Sequence, residues 1–128
     1  MHELPNILIV EDDQDIQIIV EEALTDGGFG SVIATSGEEA VARLRSDEVK
    51  YLALVTDINL PGRLDGWEIA RVAREIDPAF PIVYMTGAAA DDWPSKGVPN
   101  SILLNKPFAP AQLVTAVSQL LNAGTPQA

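Results

Sequence analysis

The chain has 128 residues, of which 47% are hydrophobic and 21% charged, and it contains no cysteine. A chain of this length forms about one domain with a single core, and the lack of cysteine excludes disulfide frameworks, thiol catalysis and thiolate metal sites. Eight basic against nineteen acidic residues give a net charge of −11, which disfavours binding to the phosphate backbone of a nucleic acid.

Short apolar runs alternate along the chain with stretches of helical periodicity. The predicted strands are 7–10, 32–34, 52–55, 82–85 and 102–104. Amphipathic helices are predicted after the first, second, third and fifth strands. Asp13 is expected to cap the first helix, Ser36 or the glycine after it the second, and Gly27 with Gly28 to end the first. After the fourth strand, Pro94 limits the chain to a short or irregular helix.

This β–α alternation predicts an α/β fold: one doubly wound, five-stranded parallel sheet with helices on both faces. The predicted domain spans residues 6–122, with a tail at 1–5 and a disordered tail at 123–128. No apolar run approaches the roughly 20 residues that cross a bilayer. The first residues lack the basic and apolar segments of a signal peptide, so we expect a cytoplasmic protein with no membrane partner.

Polar side chains leave four of the predicted strands at their carboxyl ends, where open α/β sheets bind ligands. They are Glu11 and Asp12, Asp57, Thr86 and Lys106. Gathered carboxylates repel one another, so one of them would keep its proton unless a divalent cation were bound. Mg²⁺ prefers such oxygen ligands. The sequence therefore predicts a Mg²⁺ site at which Asp57 acts as a nucleophile toward a phosphoryl group, with Thr86 and Lys106 near its oxygens.

Taken singly, several of these residues also have a purely structural interpretation. An aspartate such as Asp57 often closes a strand and opens a turn, and Asp13 is better explained as a helix cap than as a metal ligand. Trp67 is expected to pack the third helix against the sheet. Trp93 is interpreted either as a packing residue or as a contact for a partner protein.

Five sequence fragments occur in a defined order along these strand ends and turns. They are ILIVEDD at 7–13, VTDINLPG at 55–62, DGWE at 65–68, YMTG at 84–87 and NKPF at 105–108. With them the chain resembles the receiver domain of two-component response regulators, the CheY-like fold, from about Asn6 to Leu121. The resemblance implies the strand order 2-1-3-4-5 and a single-domain signalling protein that is not an enzyme.

The resemblance also implies a role for each acidic residue. Asp57 would be the phosphoacceptor, taking a phosphoryl group from a phosphohistidine of a sensor histidine kinase or histidine phosphotransfer protein. Mg²⁺ would be held by Asp12 and Asp57, by Glu11 through water, and by the backbone carbonyl of Asn59.

Thr86 and Lys106 would hold the phosphoryl oxygens in the active form, and the Lys106–Pro107 peptide bond would be cis. The signal would pass to a downstream protein through the face formed by the fourth helix, fifth strand and fifth helix, with no nucleic acid involved. This face would include Trp93, Ser101 and residues 112–119.

Two features depart from the family pattern. The turn at 61–66 is one residue longer than usual, and Leu103 stands where a switching aromatic residue is common. We therefore hypothesise that signalling relies on rearrangement of residues 87–99.

Two alternatives remain open. The domain could belong to a hybrid kinase or larger regulator, although a methionine start favours a free-standing protein. It could also be a phosphatase with an aspartate nucleophile, since Asp57-Ile58-Asn59 superficially fits, but Asn59 cannot act as a general acid.

Overall fold

Five parallel strands form the centre of the computed structural model, which describes residues 6–46 and 48–123. The strands are β1 (Asn6–Val10), β2 (Gly30–Ala34), β3 (Ala53–Asp57), β4 (Ile82–Thr86) and β5 (Ile102–Asn105). The helices are α1 (Gln14–Asp26), α2 (Gly37–Arg45), α3 (Gly66–Ile76), α4 (Trp93–Lys96) and α5 (Pro110–Ala123). The strand order β2-β1-β3-β4-β5 confirms the predicted topology.

The predicted tails lie mostly outside the described residues. Residues 1–5 and 124–128 are not described, whereas α5 includes Ala123, the first residue of the predicted C-terminal tail. Within the described parts of the chain, none of the helices has the length and apolar character needed to cross a membrane.

The helix boundaries follow the capping residues of the sequence. Asp13 Oδ1 accepts hydrogen bonds from the amides of Asp15 (2.9 Å) and Ile16 (3.3 Å), which confirms Asp13 as the N-cap of α1. Ser36 caps α2 in the same way. Beyond the end of α1, Gly28 adopts a φ of +92°, a conformation that glycine takes without steric cost.

The sheet is buried on both faces, as is typical of parallel sheets. Successive residues of a strand point to opposite faces, so Leu8 and Val10 pack with α2 and α3, while Ile7 and Ile9 pack with α1 and α5. Helices on both sides of the sheet leave the carboxyl ends of the strands accessible at one edge.

The chain between β4 and β5 contains only short helical turns. A 3₁₀ turn at Ala90–Asp92 leads directly into α4, which is a single turn with Pro94 at its start. A proline is tolerated there because the first amides of a helix have no partner within the helix. The predicted short or irregular helix is confirmed.

Both tryptophans pack against the α2/α3 face of the core. Trp67 is 3% exposed, and its ring centroid lies 4.8 Å from that of Tyr84, which confirms its predicted packing role. Trp93 is half-buried against the same cluster, and its indole Nε1 donates a hydrogen bond to Ser101 Oγ at 3.0 Å.

Candidate functional site

The carboxyl ends of four strands place the predicted residues at one edge of the sheet. Glu11 directly follows β1, Asp57 ends β3, Thr86 ends β4 and Lys106 directly follows β5. β3 lies between β1 and β4 in the sheet, so Asp57 occupies the middle of the group. The predicted convergence of these side chains is therefore observed for the acids and the lysine.

Three carboxylates approach one another closely enough to share a cation. Each of Glu11, Asp12 and Asp57 offers one oxygen, and these oxygens lie within 4.8 Å of one another. Glu11 is 1% exposed and its Oε2 is buried with no hydrogen-bond partner, whereas Asp12 is exposed. A buried carboxylate oxygen without a partner is costly. The all-oxygen donor set and this unpartnered atom fit a hard divalent cation such as Mg²⁺.

Lys106 joins the two buried acids. Its ammonium Nζ lies 3.0 Å from Glu11 Oε1 and 3.3 Å from Asp57 Oδ2. Burial alone would lower the pKa of Lys106, but its bonds to Glu11 and the charge of Asp57 outweigh burial, so the pKa is raised. Lys106 therefore carries a positive charge at the centre of the pocket. The Lys106–Pro107 bond is cis, as the resemblance implied.

One ammonium does not neutralise three carboxylates, and Glu11 shows the consequence. Burial, followed by the nearby carboxylate of Asp57, raises the pKa of Glu11 to about 8 even though Lys106 acts in the opposite direction. Without a cation, Glu11 is thus the carboxyl that retains its proton near neutral pH. This matches the conflict that the sequence predicted for a metal-free site.

The carboxylate of Asp57 is held by contacts to both of its oxygens. The amide of Ile58 donates to Oδ1 at 2.8 Å, and Oδ2 faces Lys106. Asp57 is only 8% exposed. The backbone after Asp57 is also held, because Gly66 N donates a hydrogen bond to Ile58 O at 2.8 Å. The two segments lie so close together that a methyl group on Gly66 would overlap the Asp57 carbonyl oxygen. The glycine of the DGWE fragment is therefore required by a close approach of two backbone segments.

Thr86 is fully buried, and its hydroxyl faces the chain that follows β4. The amides of Ala88 (3.1 Å) and Ala89 (2.8 Å) both donate to Thr86 Oγ1. The backbone also links Thr86 to the lysine, since Lys106 N donates to Thr86 O at 2.8 Å. A role for the Thr86 hydroxyl toward a phosphoryl group remains a prediction.

The lengthened turn after β3 is attached to the start of α2. Gly62 adopts a φ of +91° beside the carboxylate of Glu38, and Arg63 N donates to Glu38 Oε2 at 3.2 Å. The Arg63 amide lowers the pKa of Glu38. Asn59, two residues before this turn, has an exposed side chain, and the metal-binding role of its carbonyl stays a prediction.

Two supporting groups carried no sequence signal. Gln17 Nε2 donates to the backbone carbonyl of Glu11 at 2.6 Å and so fixes the acid from α1, but a glutamine on an amphipathic helix resembles any solvated residue. The Ile58 amide is a backbone group, which side-chain patterns do not identify. Both act on residues that the sequence did predict.

Comparison with known proteins decides the family. The family model described as response regulator receiver domain matches residues 7–118. The chain belongs to the response regulator receiver family. This receiver domain is 36% identical over 122 residues to the response regulator receiver protein CpdR of Brucella abortus, an alignment that covers 94% of this chain and 99% of that protein. Several other curated relatives are matched over only about half of their own length.

Solved structures share the fold of this receiver domain. A response regulator receiver protein from Sinorhizobium medicae is 50% identical with a TM-score of 0.90, covering 94% of this chain and 97% of that one. The receiver domain of sensor histidine kinase PA1611 from Pseudomonas aeruginosa is 26% identical with a TM-score of 0.79, covering 94% and 99%. That structure is described with a magnesium ion coordinated in its active site cleft.

Proposed function

We propose that Asp57 accepts a phosphoryl group from a phosphohistidine of a sensor histidine kinase or histidine phosphotransfer protein, in the cytoplasm and with Mg²⁺ as cofactor. The observation that carries the proposal is the arrangement around Asp57. Its Oδ1 is fixed by an amide, while its Oδ2 lies beside an ammonium in a pocket with two further carboxylates. A nucleophile positioned in this way meets the main requirements of phosphoryl transfer, which are orientation and charge neutralisation.

In the proposed reaction an oxygen of Asp57 forms a bond to phosphorus while the bond between phosphorus and the imidazole nitrogen breaks. The imidazole leaves with the electron pair and takes up a proton, and the product is an acyl phosphate. Lys106, already 3.3 Å from Oδ2, neutralises charge on the transferred oxygens. When bound, Mg²⁺ supplies further positive charge, held by Glu11, Asp12, Asp57 and the Asn59 carbonyl.

We propose that the phosphorylated domain signals by protein contact rather than by catalysis or by binding nucleic acid. The α4–β5–α5 face includes Trp93 and Ser101, and its β5 and α5 part contains a groove of about 350 Å³ lined by Ile102, Leu104 and residues of α5. The net charge of −11 supports the exclusion of nucleic acid.

Incubation with acetyl phosphate and Mg²⁺, followed by intact mass measurement, tests the proposal. The native chain should gain one phosphoryl mass and Asp57→Asn should gain none. Asp26→Asn, at the exposed end of α1, is the matched control and should behave as the native chain does. Gain of a phosphoryl mass by Asp57→Asn would refute Asp57 as the phosphoacceptor.

Two alternatives make different predictions. Steady multiple turnover of small phosphate esters would indicate a phosphatase and would contradict a simple receiver. The match to about half of several curated relatives is compatible with a domain that functions inside a larger regulator or hybrid kinase. In that case the phosphoacceptor chemistry would be the same, but the output would act on the attached domain.

A further inference from the structure

The loop between β3 and α3, residues 58–65, is fixed at both of its ends. At its beginning, Ile58 is buried and its carbonyl accepts a hydrogen bond from Gly66 N at 2.8 Å. At its end, the side chain of Asp65 caps α3. Between these ends lies the turn that is one residue longer than usual, and its first residues are exposed. Fixed ends alone leave an exposed turn several conformations, so its shape depends on contacts made outside the loop.

Glu38, in the first turn of α2, supplies such a contact. Its Oε2 accepts a hydrogen bond from the amide of Arg63 at 3.2 Å. Gly62 has a φ of +91° and approaches the same carboxylate so closely that a methyl group on it would lie 2.6 Å from Oε2. The amides of Arg63, of Glu38 itself and of Leu64 lower the pKa of Glu38. Backbone donors of the turn therefore hold this side chain as an anion.

A second contact between α2 and the turn is made by the backbone. Gly37 is buried, and a methyl group on it would lie 2.6 Å from both the Cβ and the carbonyl oxygen of Leu64. Leu60, earlier in the loop, packs against the core cluster to which α2 and α3 both contribute. The start of α2 therefore supports the loop in two ways, through a close approach at Gly37 and through a charged hydrogen-bond acceptor at Glu38.

We propose that Glu38 is a positioning residue for the Mg²⁺ site, because it holds the turn against α2 and thereby fixes the orientation of the Asn59 backbone carbonyl. The inference rests on the proposed function, in which that carbonyl is a ligand of Mg²⁺. Asn59 lies two residues after Asp57, a member of the carboxylate group, and three residues before Gly62. Its own side chain is exposed. Rotation of this part of the backbone is therefore limited by the buried Ile58 on one side and by the Glu38 contact on the other.

A role confined to α2 makes a different prediction. An acid in the first turn of a helix stabilises that helix through the helix dipole, and Glu39, the next residue of α2, has the same advantage. Glu39, however, accepts a hydrogen bond from the amide of Thr35 at 2.9 Å and pairs with Arg43. It therefore contacts the chain after β2 rather than the turn after β3. If Glu38 acted only on α2, its replacement would leave the Mg²⁺ affinity unchanged, as replacement of Glu39 should.

Calorimetric titration with Mg²⁺ tests the proposal on the native chain, Glu38→Ala, Glu38→Gln and the control Glu39→Ala, which removes the same charge from the same helical turn. Glu38→Ala should weaken Mg²⁺ binding about tenfold, as expected when a group that orients a metal ligand is lost. Glu38→Gln keeps a side-chain oxygen that can accept from the Arg63 amide, so it should recover most of the affinity. Glu39→Ala should bind Mg²⁺ as the native chain does.

Site-resolved amide exchange by NMR on the metal-free proteins provides a second measurement. The Arg63 amide should exchange faster in Glu38→Ala than in the native chain, because it loses its acceptor. In Glu39→Ala its exchange rate should stay at the native value. An unchanged Arg63 rate in Glu38→Ala would contradict the hold of Glu38 on the turn.

Two results of the titration would overturn the inference. One is a native Mg²⁺ affinity in Glu38→Ala, and the other is an equal loss of affinity in Glu38→Ala and Glu39→Ala, which would indicate an effect of charge alone. The acetyl phosphate assay on the same samples separates this failure from failure of the proposed function. If the native chain gains a phosphoryl mass while Glu38→Ala keeps the native Mg²⁺ affinity, only the role of Glu38 is refuted. If the native chain binds no Mg²⁺, the inference falls together with the proposed function.

Discussion

The raised pKa of Glu11 predicts that the metal-free protein loses stability as pH rises from about 4.5 to about 8. In the folded, cation-free site the neutral carboxylic acid is favoured, and in the unfolded chain Glu11 ionises near the ordinary glutamate pKa of 4.5. A group whose pKa is raised by folding stabilises the fold fully below the unfolded pKa. That contribution is lost as pH rises through the folded pKa. Near pH 8, the folded protein must therefore either ionise a buried acid or hold its proton at a cost.

The magnitude follows from the two pKa values. Each pKa unit corresponds to about 1.4 kcal/mol, so the free energy of unfolding should fall by about 3 kcal/mol between pH 5.5 and pH 8 in the presence of EDTA. Against the roughly 5–15 kcal/mol of a typical domain this is a large change. Saturating Mg²⁺ should remove most of this decrease in the free energy of unfolding, because the cation stabilises ionised Glu11.

Urea unfolding followed by circular dichroism at the two pH values measures this effect. Glu11→Gln replaces the acid by a neutral amide and should abolish the dependence, while Glu22→Gln, exposed on α1, should retain it. His2→Gln, which removes the single histidine of the chain, serves as a further control. Equal free energies of unfolding at both pH values, or an unchanged dependence in Glu11→Gln, would refute the reasoning.

Three further predictions use paired variants. Gly66→Ala should lower the free energy of unfolding by about 1–3 kcal/mol, because its methyl group overlaps the Asp57 carbonyl, whereas Gly87→Ala, in open space, should change it little in the same urea titration. Asp13→Ala should lower the free energy of unfolding by about 1 kcal/mol through loss of the α1 cap and leave the Mg²⁺ affinity, measured by calorimetry, unchanged. Asp12→Ala should weaken Mg²⁺ binding and leave the free energy of unfolding unchanged. Lys106→Met should slow phosphorylation by acetyl phosphate about a hundredfold. It should also tighten Mg²⁺ binding, because a positive charge beside the carboxylates is removed, and weaker Mg²⁺ binding would contradict the position of the Lys106 ammonium.

Much of the fold could be predicted because local and global signals agree. Apolar runs too short for helices, separated by capped amphipathic stretches, leave few arrangements other than a parallel sheet with helices on both faces. Asp13 shows the same agreement at the level of one residue, since it stands where a cap is needed and its side chain caps the helix. The site followed from the fold, because the carboxyl ends of parallel strands meet at one edge.

The remaining features depend on contacts between distant segments, which a single sequence does not encode locally. The bond from Gln17 to the Glu11 carbonyl and the bond from Val98 to Tyr84 each depend on how two elements pack. The longer turn after β3 was recognised from its length, but its attachment to Glu38 required the position of α2. Similarly, the Thr86 hydroxyl was assigned to the pocket, whereas its bonds in the structure are to the following chain.

The contact between Gly66 and the backbone of Asp57 has a mechanical consequence. Helix α3 abuts the end of β3 through main-chain atoms, with no compressible side chain between them. If Asp57 accepts a phosphoryl group as proposed, its backbone has no room to move toward α3 in response to the added charge. Under the proposed function, any displacement caused by the phosphoryl group would therefore have to occur on the side of Asp57 that faces away from α3.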